Sequence, residues 1–135
     1  VSFAEKDFLA ALELWTTVEP YSNFPCQTIN WRLLPAFEHG KARVFWREGR
    51  LVGFATWAFM THEEYGTREY CGAEIFSRED GEVLLVVDLI VPGGKNDVLW
   101  VCRQLRRLFR ERYEGHRDVF AHRGPRNGVF PNKGG

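Results

Sequence analysis

Val86-Val87-Asp88-Leu89-Ile90-Val91-Pro92-Gly93-Gly94 puts one carboxylate inside an apolar run and closes that run on a glycine pair. A carboxylate taken out of water is costly unless it is paired, hydrogen-bonded or protonated, so a strand that keeps one keeps it for a reason. In apolar surroundings its pKa is expected to rise. The nearly continuous apolar character of Glu82 to Val91 indicates a strand buried on both faces and central in its sheet. Pro92-Gly93-Gly94 lets backbone amides approach a ligand closely, and Asn96 or Asp97 is placed to cap the helix that follows. Strand, carboxylate, glycine turn and helix N-terminus together fit a donor that carries an acyl or phosphate group.

Downstream of the turn, Val98, Val101, Cys102, Leu105, Leu108 and Phe109 form one stripe, with Arg103, Arg106, Arg107 and Arg110 opposite, which predicts a helix over Asp97 to Tyr113. Upstream, Ala42 to Arg47 and Leu51 to Phe59 are β-leaning runs around Glu48-Gly49-Arg50, a hairpin signal. Phe8, Leu9, Leu12 and Trp15 recur at helical spacing, so residues 3–16 read as an amphipathic helix. Pro20 and Pro25 bracket a loop, Tyr21-Ser22-Asn23-Phe24. It leads to a second helical stretch, interrupted or restarted near Pro35 and closed by Gly40. Residues 61–81 are polar, with one short strand expected near Tyr70 to Ile75 and a turn at Asp80-Gly81. Asp118 to His122 reads as a short strand and everything from Gly124 onward as loop. The order predicts one α+β domain over 1–135: a mostly antiparallel central sheet flanked by helices.

At 135 residues, 44% hydrophobic and 15% aromatic, the chain can build a core without disulfide or metal staples. The net charge is zero, but residues 1–99 hold 9 Lys/Arg against 15 Asp/Glu and residues 100–135 hold 9 against 3. A basic final quarter points to an acidic partner, or to self-association of opposite faces. Cys26, Cys71 and Cys102 are widely separated and belong to no Cys-x-x-Cys pair, which reads as buried reduced thiols and no metal site. No run approaches the roughly 20 apolar residues of a membrane span, and no signal core opens the chain. A cytoplasmic protein without membrane insertion is the expectation.

Leu14-Trp15, Asn23-Phe24-Pro25, Leu34-Pro35-Ala36, the Trp57 strand, Val87 to Gly94 and the closing Phe130 to Gly135 occur in an order and spacing that resemble the RTX toxin-activating lysine acyltransferases. The strand, glycine turn and helix are similar to the cofactor-binding core of the wider GNAT superfamily. The resemblance implies a GNAT-like fold and a homodimer. It also implies transfer of a fatty acyl group from acyl carrier protein, as a phosphopantetheine thioester, to a lysine ε-amino group of a partner protein or peptide. No permanently bound cofactor is implied. The family's catalytic pair maps onto Asp88 and, where the family has histidine, Tyr21.

Amide formation needs a neutral amine, and a free lysine has a pKa near about 10.4, so a base or an orienting carboxylate must assist. Asp88 fits either task. The structural alternative is an acid satisfied by backbone amides or by an arginine such as Arg32 or Arg43. Tyr21 titrates near about 10 when unperturbed, which suits a hydrogen-bond donor that stabilises an oxyanion or positions the thioester. A loop aromatic packed over the first helix is the alternative. Ser22 and Asn23 add polar groups beside it, although a turn between two prolines accounts for them equally well. Pro92, Gly93 and Gly94 are the donor-binding candidates. They lack the Arg/Gln-x-x-Gly-x-Gly/Ala pattern that cradles the coenzyme A pyrophosphate, which favours a carrier-protein donor.

Arg103, Arg106, Arg107 and Arg110 are either a solvated face or a dock for an acidic carrier; no nucleic-acid motif accompanies them. Among His39, His62, His116 and His122, His122 is best placed to replace the missing histidine. Cys26 offers a thiol nucleophile near the loop. Two other readings stay open: an adaptor that binds the acyl donor without catalysis, and a small-molecule N-acyltransferase of the GNAT class.

Overall fold

The fold is that of a computed structural model, which describes residues 4–67, 73–113, 118–123 and 126–129, the last two segments as backbone. Eleven residues of β2 (Arg50–Met60) pair on one side with β1 (Ala42–Arg47) and on the other with β3 (Val83–Ile90), both antiparallel. The chain then runs through α4 (Lys95–Arg112) to β4 (Asp118–Arg123), which lies parallel to β3 because a helix carries it across the sheet. Strand β5 (Arg126–Val129) closes the order β1-β2-β3-β4-β5, so β3 is central, as its apolar run implied. The result is α+β, mostly antiparallel, with helices on both faces.

Side-chain alternation divides the core. Trp57, Phe59, Leu84 and Val86 face α4, packing on Val101, Cys102, Leu105 and Phe109. On the other face, Phe54 and Ile90 meet Leu14 and Trp15 of α1 (Glu5–Thr17) and Phe37 of α2 (Leu34–Glu38). Beside them Ala58, Met60, Val83 and Leu85 meet Ala36, Ile75 and Phe76. The β2–β3 register slips once: Thr56 pairs with Asp88 but Trp57 with Val86, leaving Val87 as an extra residue. That bulge decides where the carboxylate goes. Strict alternation would turn Asp88 toward α4 with Leu84 and Val86; one inserted residue turns it to the α1–α2 face instead.

The hairpin turn has positive φ at both Glu48 (53°) and Gly49 (79°), as the favoured two-residue turns require. Gly53 is needed for a different reason: a Cβ there would lie 2.3 Å from the Ile90 carbonyl oxygen. The second helical stretch begins with a π turn, Ile29–Leu33, in which the Leu34 N–H donates to Ile29 O; Pro35 has no N–H to offer the Trp31 carbonyl. Gly40, at φ 70°, ends α2 as expected.

Four expectations need correction. In place of a strand over Tyr70 to Ile75, the chain forms α3 (His62–Thr67) and a 3-10 turn, Ala73–Ser77; Tyr70 to Gly72 lie outside the described residues. Helix α3 starts on a capping box: Glu64 N donates to Thr61 Oγ1 (3.0 Å) and Thr61 N to Glu64 Oε1 (2.9 Å). Ile75 and Phe76 are buried consecutively, which a one-sided strand does not allow. Gly94, not Asn96 or Asp97, is the N-cap of α4. The supposed terminal loop contains β5, paired to β4 by contacts that no local pattern announces. Finally, of the cysteines expected to be buried, Cys102 is but Cys26 is exposed, while Cys71 lies outside the described residues.

Glu64 also binds Arg78 through two hydrogen bonds of 2.5 and 2.8 Å. These bonds, ahead of the Thr61 backbone N–H, hold its pKa down at about 2, against an ordinary value of 4.5. A carboxyl depressed on folding contributes stability above its unfolded pKa, and that contribution is lost as pH falls through the folded one. Glu64→Gln should lower unfolding free energy at pH 7 by about 1 kcal/mol or less, because water reaches the pair. The gap to wild type should close between pH 4.5 and pH 2. Urea titrations at three pH values check this; a gap independent of pH contradicts it.

Candidate active site

Asp88 is 1% exposed, and its carboxylate is surrounded by donors. Arg32 approaches side-on, with Nη2 2.6 Å from Oδ1 and Nε 3.3 Å from Oδ2, while Thr56 Oγ1 donates to Oδ2 at 2.9 Å. The Tyr21 hydroxyl lies beside the group, close enough for the Asp88 carboxylate, the Arg32 guanidinium and the Leu89 backbone all to act on its titration. Burial, and next the Asp88 charge, push the phenol well above its ordinary pKa; the Arg32 charge and the Leu89 N–H oppose them without cancelling the effect. Tyr21 therefore keeps its proton at neutral pH and acts as a donor, not a base.

Each partner reaches the bulge from a different segment. Tyr21 opens a 3-10 turn, Tyr21–Asn23, directly after α1, and its ring packs edge-on to Trp15 (4.9 Å between centroids) and tilted to Phe24 (5.4 Å). Arg32 leaves the π turn, with its guanidinium 5.9 Å from the Trp15 ring and 5.7 Å from that of Phe24. Thus Trp15 and Phe24 brace the two side chains that hold the carboxylate. Asp88 and Tyr21, the two positions onto which the family's catalytic pair maps, lie in one cluster. Arg32 proves to be the acid's partner; exposed Arg43 on β1 does not. The carboxylate's surroundings are accordingly polar, not the apolar ones expected of the strand. Sequence reasoning missed Thr56, although it is the one hydroxyl in the otherwise apolar run Leu51 to Met60.

Ser22 and Asn23 are exposed, and their N–H groups close the turn onto Val18 O and Pro20 O, each at 3.0 Å. Pro92, Gly93 and Gly94 are exposed at the end of β3, and Gly94 adopts φ 107°, ψ −174°, a conformation open essentially to glycine alone. A Cβ on Gly93 would fall 2.0 Å from Asp97 Oδ2, so this glycine gives room to a carboxylate that pairs with Arg50 at 3.2 Å. The β3–β4 ladder runs from Val83–Asp118 to Val86–Ala121. Among the described residues it stops there, which leaves Val87 to Ile90 without a β4 partner beside the glycine turn.

On α4, Arg103, Arg107 and Arg110 are exposed and Arg106 is half-buried. Arg107 also lines a groove of about 450 Å³ between α4 and β1, with Arg43, Trp46, Trp100 and Glu111. His39 and His62 are exposed away from these contacts, His122 is placed only as β4 backbone, and His116 lies outside the described residues. Among the described residues no cluster of His, Cys, Asp and Glu could hold a metal ion, and no helix is long and apolar enough to cross a membrane.

A central strand bulged at a carboxylate, an open strand edge beyond it, and a glycine turn feeding a helix are consistent with a GNAT-like α+β fold. The family model of the RTX toxin acyltransferases matches residues 5–127, and the chain belongs to that family. It is thus an acyltransferase by descent, of a family whose acceptor is a protein toxin. No curated protein matches the chain.

Proposed function

We propose that this chain moves a fatty acyl group from acyl carrier protein to a lysine ε-amino group of a partner protein, with the chemistry at Asp88. The observation that carries the reading is the gathering of Arg32, Thr56 and Tyr21 around the buried Asp88, at the bulge where the β3 edge opens. The amine nitrogen attacks the thioester carbonyl carbon, the C–S bond breaks, and the pantetheine thiol leaves with a proton from nitrogen. Asp88 draws and orients the incoming amine, while Arg32, Thr56 and Tyr21 fix the position of its two oxygens. Tyr21, which holds its proton, serves by orienting the carboxylate; it does not substitute for a histidine base.

The donor's extended arm lies along the unpaired edge of Val87 to Ile90, by backbone pairing, and passes Pro92, Gly93 and Gly94. Ser22 and Asn23 flank the same mouth. The exposed arginines 103, 107 and 110, with Arg106 beside them, dock the acidic carrier. This reading puts the protein in the cytoplasm, acting on loaded carrier and needing no resident cofactor or metal.

Incubation with acyl-loaded carrier and candidate acceptors, followed by intact-mass measurement, tests it. Wild type should add one acyl mass to the acceptor, and Tyr21→Phe should slow transfer about tenfold or more. No transfer by wild type overturns the reading. Because Tyr21 stands where the family has histidine, an adaptor role is the second reading; a silent wild type that Tyr21→His awakens identifies it.

A further inference from the structure

Trp15 is 1% exposed, and its indole N–H has no hydrogen-bond partner among the described residues. Indole nitrogen only donates, and a buried donor left without an acceptor is destabilising. Two tryptophans on the sheet show the usual outcome: Trp46 Nε1 donates to Asp7 Oδ1 and Trp57 Nε1 to the Tyr113 hydroxyl, each at 2.9 Å. Trp15 differs from them in position. It packs against Tyr21 and Phe24, with the Arg32 guanidinium over its ring, at the centre of the group that holds Asp88.

The neighbouring hydroxyls are grouped around the Asp88 carboxylate. Thr56 has one hydroxyl proton and gives it to Asp88 Oδ2 at 2.9 Å, and the Tyr21 hydroxyl lies within reach of the same carboxylate. Nitrogen attack on a thioester moves the carbonyl π pair onto oxygen, and that oxygen needs a donor which the resting site has not already used. We propose that the Trp15 indole N–H donates to the carbonyl oxygen of the bound thioester and to the oxyanion it becomes when the amine adds. The negative charge returns to form the C=O bond as the C–S bond breaks, and the thiol leaves with a proton from nitrogen. The orphaned donor is then the cost of a site arranged for the transition state rather than for the empty protein. This inference rests on the acyl-transfer reading above and assigns that reaction a donor.

The test replaces Trp15 by β-(3-benzothienyl)alanine, which keeps the bicyclic shape and removes the N–H, with Trp15→Phe as a second variant. Transfer from acyl-loaded carrier should fall about 100-fold in kcat, with KM for the carrier within about threefold and the isostere's thermal midpoint unchanged. In a second measurement on ¹⁵N-tryptophan-labelled wild type, the Trp15 indole resonance should move downfield on adding carrier protein that bears an amide-linked octanoyl chain, an unreactive donor. An isostere with wild-type kcat, or a stationary resonance while the loaded carrier binds, overturns the assignment. Loss of thermal stability in the isostere without loss of kcat would make the N–H a structural donor only, and would likewise overturn it. Failure of wild type either to transfer or to bind loaded carrier instead defeats the acyl-transfer reading, and this inference with it.

Discussion

Arg32→Met should destabilise the protein by about 3–5 kcal/mol, because it removes the guanidinium from an acid that is 1% exposed and leaves that acid inside the sheet without its charge partner. Thr56 and Tyr21 cannot replace a cation. In a domain of this size the loss should lower the thermal midpoint by roughly 10–20 °C. The reverse comparison separates lost pairing from lost packing. Adding Asp88→Leu to Arg32→Met removes the stranded acid and should recover most of the deficit, since a buried pair exchanged for apolar side chains is often neutral in stability. Urea unfolding of both single variants and the double variant gives the coupling directly. A penalty under about 1 kcal/mol for Arg32→Met would mean that water reaches Asp88, and the burial argument for the site would fail.

Asp88→Asn should reduce acyl transfer at least about 100-fold while the fold survives. The amide oxygen keeps the shape of the carboxylate and still accepts from Thr56 or Arg32, whose side chain is 27% exposed and so can turn part of its charge to water. What the substitution removes is the negative charge that draws and orients an amine. Intact-mass kinetics with loaded carrier measure the loss, and a melting curve shows that folding is retained. Turnover within threefold of wild type would strip Asp88 of its assigned part. Paired with Arg32→Met, the experiment divides the cluster's two tasks: the arginine carries the greater share of stability and the acid the greater share of the chemistry.

Much of this architecture is legible in the sequence. Continuous apolar character placed β3 at the centre, alternation with a glycine turn gave the β1–β2 hairpin, and a 3.6-residue stripe gave α4, since all three are local periodicities. Helix α3 was equally local: Thr61-His62-Glu63-Glu64 spells the capping box that starts it, a signal outweighed by the polar character of the segment. Strand β5 was not local, because a strand at a sheet margin exists by virtue of its neighbour's backbone. At the site, Asp88 stood out as an acid in an apolar run and Tyr21 as the occupant of a family position. Thr56 was visible as a lone hydroxyl, but nothing in sequence said that a residue 32 positions upstream would face the acid.

The chain by itself determined that a carboxylate would be buried in a central strand, that a glycine turn and a basic helix would follow it, and to which family the whole belongs. Only the tertiary structure decided which way that carboxylate points and what meets it there. A one-residue bulge at Val87 reverses the side-chain alternation, and Trp15, Tyr21, Arg32 and Thr56 converge on the reversed face from four separate elements. Side-chain period is a property of neighbours along the chain. Bulges and convergent contacts are settled by which strands and helices pack together, and they become defined only when the sheet and its covering helices are assembled.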